Sequence, residues 1–418
     1  MLPSPSFALS ALLTLPAVVK AGNVLWEGTV KLQIPEPVVQ IEVDAAGYAV
    51  KGAVKSALHR RYFAFDPKFK PAAGQDPNPD LWHDRTIPYC FETPEARKEL
   101  HGLIKEALQE WRREWAGRAG DSKDRFLTWR YLGDSMTGEA CTKHIDRKRI
   151  LVIRSTTNDD LGPSLASSLG VQIGKGVRDS PGPYTALTSI ESMGMLRDVS
   201  NIAHELGHVM GLAHEHQNPF TWSGTSRFAG QGASNGFGRG DTFDCSVITG
   251  YADLQQKIDA RMAIQPAPNP PITIESACTN RKHADEVNFL AKDWLPLQER
   301  TRFVGHPNPD RYKSYEHIDW NSLMIYPSGA GGTTTGAYVP GGPDVRRPVL
   351  KKTDGSLIPR NFHASALDIQ GLKYLYYSKD IPTPKGSPLA TDPFLQHAIY
   401  GLRNFNKVLF GQCAGVRD

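Results

Sequence analysis

Residues 204 to 214 read His-Glu-Leu-Gly-His-Val-Met-Gly-Leu-Ala-His. His204 and His208 stand one helical turn apart, so on a helix both imidazoles project from one face and can share a metal ion. Glu205, beside the first of them, offers a carboxylate able to take a proton from water at that metal. Gly211 comes shortly after His208. A helix that stops there and swings its chain back needs a residue tolerant of positive φ, and glycine is the usual one. The turn would return His214 as a third ligand. Three neutral imidazoles suit zinc and leave one tetrahedral corner open, as catalytic sites do and structural ones do not. One Zn2+ per chain is therefore expected. A bare His-Glu-x-x-His recurs by chance. With Gly211 and His214 in register the pattern is far more specific.

The long form His-Glu-x-x-His-x-x-Gly-x-x-His resembles the signature of the metzincin zinc proteases. Glu215, directly after His214, makes it similar to the astacin family in particular. Ser322-Leu323-Met324-Ile325-Tyr326 resembles the astacin Met-turn, and Asp319 shortly before it also fits. Leu81-Trp82 with Ile87-Pro88-Tyr89 is similar to the opening of astacin catalytic domains. Ser365-x-x-Asp368 running into Leu375-Tyr376 is similar to the family's last helix.

The resemblance implies an α+β fold: a metzincin-like, two-lobed catalytic domain. It would have a mixed twisted sheet with the zinc helix in the upper lobe, and a loop-rich lower lobe carrying a large insertion. It implies a secreted zinc-dependent endopeptidase that hydrolyses peptide bonds of proteins, is made as an inactive precursor, and has its zinc-bound water activated by Glu205. Met324 would floor the three histidines. Tyr326 would ligate zinc at rest and swing away to stabilise the oxyanion. Glu215 would pair with the N-terminus freed when a pro-segment is cut. In astacin precursors a pro-segment Asp occupies the open zinc position. Asp66 is the best placed candidate, although its Phe-Ala-Phe-Asp setting departs from the family's Phe-x-Gly-Asp.

Two other classes compete. A peptidase of another metzincin branch is disfavoured by Tyr326 and Glu215. A secreted binding protein on an inactive metzincin scaffold would usually have lost Glu205, which is present here.

Length and composition bound these readings. With 418 residues, 40% hydrophobic and 22% charged, the chain has the balance of a globular protein. A net charge of +4 without a dense Lys/Arg block gives no reason to expect nucleic acid as a partner. The expected partner is a protein or peptide substrate. The apolar run over residues 7–19 has the length of a signal-peptide core and is too short to span a bilayer. No stable membrane insertion is expected. Five cysteines in a secreted chain suggest two disulfides and one thiol left over. Cys245 with Cys278 is the first expected pair. Cys90 with Cys141 is the second, and Cys413 with Cys90 its competitor.

The expected organisation is a signal peptide over 1–21 and a pro-segment over 22–72. An astacin-like peptidase domain follows over 73–378, with an insertion over about 221–316, and then a C-terminal tail over 379–418. Within the domain, a strand is expected over 86–91. Leu100, Ile104, Ala107, Leu108, Trp111 and Trp115 recur at helical spacing and predict an amphipathic helix over 94–115. Strands are expected over 126–132 and 149–153, loop over 156–184, and an edge strand beside the cleft over 186–192. The zinc helix should span about 196–210. Helices are expected over 253–264 and 283–294 within the insertion, and over 364–377. The tail carries one over 393–403.

Overall fold

A computed structural model describes residues 64–65, 81–117, 127–159, 162–171, 182–218, 221–222, 236–238, 240–264, 267–297, 303–304 and 318–377. The expected signal peptide, most of the pro-segment including Asp66, Cys413 and the tail helix lie outside these residues.

The first strand pair is β1 (Ala64–Phe65), which meets β7 (Phe303–Val304) antiparallel. It joins the expected pro-segment to the expected insertion. The main sheet contains β2 (Thr86–Phe91), β3 (Thr128–Tyr131), β4 (Leu151–Ser155), β5 (Ala166–Ser167) and β6 (Tyr184–Leu187). Its order is β3-β2-β4-β6-β5. The first three pairings are parallel and β5 runs antiparallel to β6, so the sheet is mixed. Ile87, Tyr89 and Phe91 are buried on one side of β2 while Cys90 is buried on the other, as expected for a strand covered on both faces.

The edge differs from expectation. The strand beside the cleft ends at Leu187, and its outer side is covered by β5 within a stretch that reads as loop. Two residues carry no alternation from which a strand could be read.

Helix α1 (Pro94–Gly117) begins behind Thr93, whose Oγ1 accepts from the Ala96 N–H at 3.1 Å. Its apolar stripe runs through Leu100, Ile104, Ala107, Trp111 and Trp115, all buried. This stripe packs against α3 (Asp198–Val209), the helix that carries His204 and His208. The indole N–H of Trp111 donates to the Ala203 carbonyl at 2.9 Å, and that of Trp82 to Val209 at 2.7 Å. Two tryptophans thus hold the helix by its own backbone, one in mid-course and one at its end.

Between α1 and α3 lies the short α2 (Glu139–Thr142), tied to β2 by the Cys90–Cys141 disulfide. The insertion holds α4 (Leu254–Met262), α5 (Ile274–Thr279) and α6 (Arg281–Glu286), then a single 3-10 turn over Leu290–Asp293. One helix over 283–294 was expected, but the helix starts earlier, behind Asn280, and the chain breaks it once, at Asn288. Asn280 caps α6 by accepting from Lys282 N–H, and Asn288 has a φ of 47°. The Cys245–Cys278 disulfide closes this region. The last helix is α7 (Ala366–Tyr377).

Two large apolar cores result among the described residues, beside a small third cluster of Cys90, Cys141, Ile150 and Val152. The first joins the sheet, α1, α3 and α7, and includes Leu323 and Met324. The second gathers Trp222, Phe237, Leu254, Phe289 and Trp294 with Ile325 and Tyr326. The seam between them falls inside the Met-turn, between Met324 and Ile325. No helix among the described residues is long and apolar enough to cross a membrane.

Candidate metal centre

Every residue of α3 from Val199 to Val209 is buried, including Ser200, Asn201, His204, Glu205 and His208. A helix buried on all sides must satisfy its polar side chains inside the protein. Asn201 does so by clasping the preceding loop. It accepts from Met195 N–H at 2.7 Å and donates to the Met193 carbonyl at 3.0 Å.

Gly211 ends the helix with a φ of 102°, and Leu212 N–H reaches back to the Gly207 carbonyl at 3.0 Å. The reversed chain brings His214 to the helix. The ligand nitrogens of His204, His208 and His214 all lie within 4.8 Å of one another, and all three side chains are buried. The three histidines thus converge as the sequence pattern predicts.

The orientation of each ring is set from behind. His204 Nδ1 lies 2.7 Å from the Leu323 carbonyl, and His208 Nδ1 2.7 Å from that of Leu212. His214 Nδ1 lies 2.7 Å from Gln217 Oε1. Each Nδ1 faces an accepting oxygen, so each ring carries its proton there and turns a lone pair inward from Nε2. The Nε2 atoms of His208 and His214 are 3.0 Å apart. Two lone pairs held that close repel unless a cation lies between them. Three neutral imidazoles, each backed by an acceptor, are a donor set that fits zinc.

Glu205 is fully buried on the same turn as His204. Its charge is felt by Tyr184 on β6. Burial first, and the Glu205 carboxylate second, push that phenol's pKa up.

Met324 presses its sulfur onto the helix at Gly207. A Cβ there would sit 2.3 Å from Met324 Sδ and 2.9 Å from the Trp111 ring. Only glycine permits this approach.

Tyr326 is buried in an aromatic box. Its ring centroid lies 4.4 Å from those of His214 and His216, 5.0 Å from Trp294 and 5.8 Å from His204. His216 is a fourth histidine at the centre. Its Nε2 donates to the Asp293 carbonyl at 2.9 Å, and its Nδ1 accepts from Tyr326 N–H at 3.4 Å. Both nitrogens are engaged with backbone, which places it outside the ligand set.

Three buried acids lie beside the Met-turn. Asp319 N–H donates to Glu215 Oε1 at 3.4 Å. Asp368 accepts from Ser322 Oγ at 2.6 Å and from the Leu323 N–H at 2.8 Å. It also accepts from Ser365 N–H at 2.9 Å, while its own N–H donates to Ser365 Oγ at 2.9 Å. That reciprocal pair caps α7. Burial, and then the neighbouring charge of Asp319, raise the Asp368 pKa to about 7.

Sequence reasoning missed Gln217, His216, Trp294 and Tyr184. Gln217 and His216 continue the polar run His-Glu-His-Gln over residues 214–217, and all four are buried. Such a run could have marked a polar core. Trp294 and Tyr184 gave no signal.

No family model matches the chain, and no curated protein matches it. Among solved structures the chain is similar to myroilysin, at 14% identity and a TM-score of 0.33, over 76% of this chain and 98% of that one. It is also similar to high choriolytic enzyme 1, a hatching-enzyme zinc protease from the medaka Oryzias latipes. There the identity is 16% and the TM-score 0.31, over 70% of this chain and 88% of that one. Likenesses this distant carry no argument about function, which has to come from the site's own residues.

Proposed function

We propose that this chain is a secreted, zinc-dependent endopeptidase of astacin type, made as an inactive precursor. The observation that carries the reading is the ring orientation at the centre. Three buried histidines aim Nε2 inward because an acceptor holds each Nδ1. His204, His208 and His214 would hold the ion. Zinc held there supplies a Lewis acid for the scissile carbonyl and makes water acidic enough to serve as a nucleophile near neutral pH.

The remaining roles belong to side chains. Glu205 would accept the attacking water's proton and deliver it to the leaving amine. Its burial on the same turn as His204 supports that role. Tyr326, packed against His214 and His216, would donate its phenol proton's hydrogen bond to the developing oxyanion. Among the described residues β5 is one of the two outer strands of the sheet, with β3 at the other edge, and an outer strand can take an extended peptide alongside it, a common mode of substrate capture. Two cores meeting at the Met-turn are consistent with a cleft between two lobes.

The precursor reading draws on the acid cluster. Glu215, Asp319 and Asp368 gather three carboxyl groups in one buried region, and the Asp319 charge there helps raise the Asp368 pKa. An ammonium freed by cleavage between about residues 60 and 80 would neutralise charge there, with Glu215 as partner. Two disulfides and the apolar run over 7–19 support secretion.

The test is zinc content together with casein hydrolysis by the processed chain, with and without a chelator. One zinc per chain and chelator-sensitive hydrolysis are expected. A zinc-free chain, or hydrolysis indifferent to the chelator, would overturn the reading.

A further inference from the structure

Gln217 sits at the junction of the metal centre and the insertion, and each of its polar groups has a partner. The side-chain Nε2 faces the Lys292 carbonyl at 3.2 Å and the Leu295 carbonyl at 3.3 Å. Its backbone carbonyl accepts from Leu297 N–H at 2.9 Å. Its Oε1 lies 2.7 Å from His214 Nδ1. The residue is only 3% exposed.

These contacts fix the amide's orientation. Two carbonyl oxygens can only accept, so the atom facing them must be the NH2 group. Oε1 then necessarily faces His214. An amide oxygen can only accept, so His214 must carry its proton on Nδ1. The lone pair is therefore left on Nε2, the atom 3.0 Å from His208 Nε2. The order of cause runs from insertion carbonyls to amide to imidazole tautomer.

The Nδ1 atoms of His204 and His208 meet backbone carbonyls instead, at Leu323 and Leu212, both outside the insertion. The neighbouring His216 reinforces the same junction by donating to the Asp293 carbonyl.

We infer that Gln217 is a positioning residue: its Oε1 fixes the tautomer and metal affinity of His214, and the turn over residues 290–295 holds the amide so that this oxygen, not the NH2 group, faces the imidazole. The inference rests on the three-histidine zinc reading and extends it. The insertion becomes part of the metal centre's supporting shell as well as a covering element. Outer partners of metal-bound histidines typically govern affinity by 10–100-fold.

The experiment measures zinc affinity of the full chain by competition with a chromophoric chelator, for wild type and for Gln217→Leu, Gln217→Asn and Gln217→Glu. The Leu variant loses both halves of the relay, and Asn is one methylene too short to span it. Both should bind zinc about 10–100-fold more weakly. Glu keeps the acceptor facing His214 but loses the donor facing the insertion. It should hold zinc within about threefold of wild type while the amides of residues 292–297 exchange faster with deuterium. A Leu or Asn variant with wild-type affinity would overturn the inference, as would a folded Glu variant as weak as Leu. If Leu does not fold, the Asn and Glu pair decides. Failure of the underlying zinc reading looks different: wild type itself would show no zinc binding that His214→Ala abolishes.

Discussion

The Nδ1 of His204 lies 2.7 Å from the carbonyl oxygen of Leu323, 119 residues further along the chain. This contact joins the two motifs that the sequence shows separately. The His204 ring is aimed by the backbone of the turn over residues 322–326, and that turn is aimed by others in its own right. Leu323 N–H is held by Asp368 at the start of α7, and the Met324 carbonyl accepts from Glu215 N–H at 3.0 Å. The side chain of Met324 is therefore a secondary feature of the turn. Its backbone supplies the orientation, and its sulfur fills the space against Gly207.

Replacing Gly207 with Ala tests that close approach. The added methyl would meet Met324 Sδ at 2.3 Å, a separation no packed carbon tolerates. A destabilisation of about 1–3 kcal/mol is expected from urea unfolding. Met324→Ala should cost less in the Gly207→Ala chain than in wild type, because the colliding Met324 atoms are gone while the Trp111 contact remains. A Gly207→Ala chain as stable as wild type would contradict the packing described.

Asp368 should leave a signature in the pH dependence of stability. Its pKa is raised to about 7 in the folded protein, by burial and by Asp319, from an ordinary value of 3.8. Between those values the native chain keeps a proton that the unfolded chain has released. Stability then falls as pH rises from about 4 to about 7, at up to ~1.4 kcal/mol per pH unit from this group, and levels off above. Asp368→Asn removes the titration. Unfolding free energies of the metal-free precursor at pH 5 and pH 8 should show a shallower decline in the Asn chain than in wild type. Equal declines would exclude the effect.

Tyr326→Phe keeps the ring in its box of His214, His216 and Trp294 but deletes the hydroxyl. If the phenol serves the oxyanion, kcat should fall by about 10²–10³ with KM and zinc content little changed. Steady-state kinetics on a peptide substrate decide it. An unchanged kcat in the zinc-loaded variant would make Tyr326 a packing residue and return the chain to the general metzincin class.

What could be read from the sequence was what depends on local spacing. α1 announces itself by apolar residues at three and four, and α3 by two histidines one helical turn apart. The three-histidine cluster follows from helical geometry plus one glycine. Both expected disulfides, Cys245–Cys278 and Cys90–Cys141, are also present. Local spacing says little about contacts made across long separations. Gln217 joins His214 to residues 292–295 through a fold of the chain that no periodicity encodes. β5 is too short to alternate, and its pairing with β6 is a tertiary event. In the insertion one helix was expected over 283–294, whereas α6 starts earlier, behind Asn280, and the positive φ of Asn288 divides the stretch.

The central claim is that the buried Glu205 carboxylate activates water at a three-histidine zinc centre. Glu205→Ala removes that carboxylate and leaves His204, His208 and His214 in place. The decisive measurement is zinc content and peptide hydrolysis, made side by side on the processed wild-type and Glu205→Ala chains. One zinc per chain in both, with the variant's rate lower by about three or more orders of magnitude, is the expected result. A zinc-loaded variant with near-native turnover would contradict it.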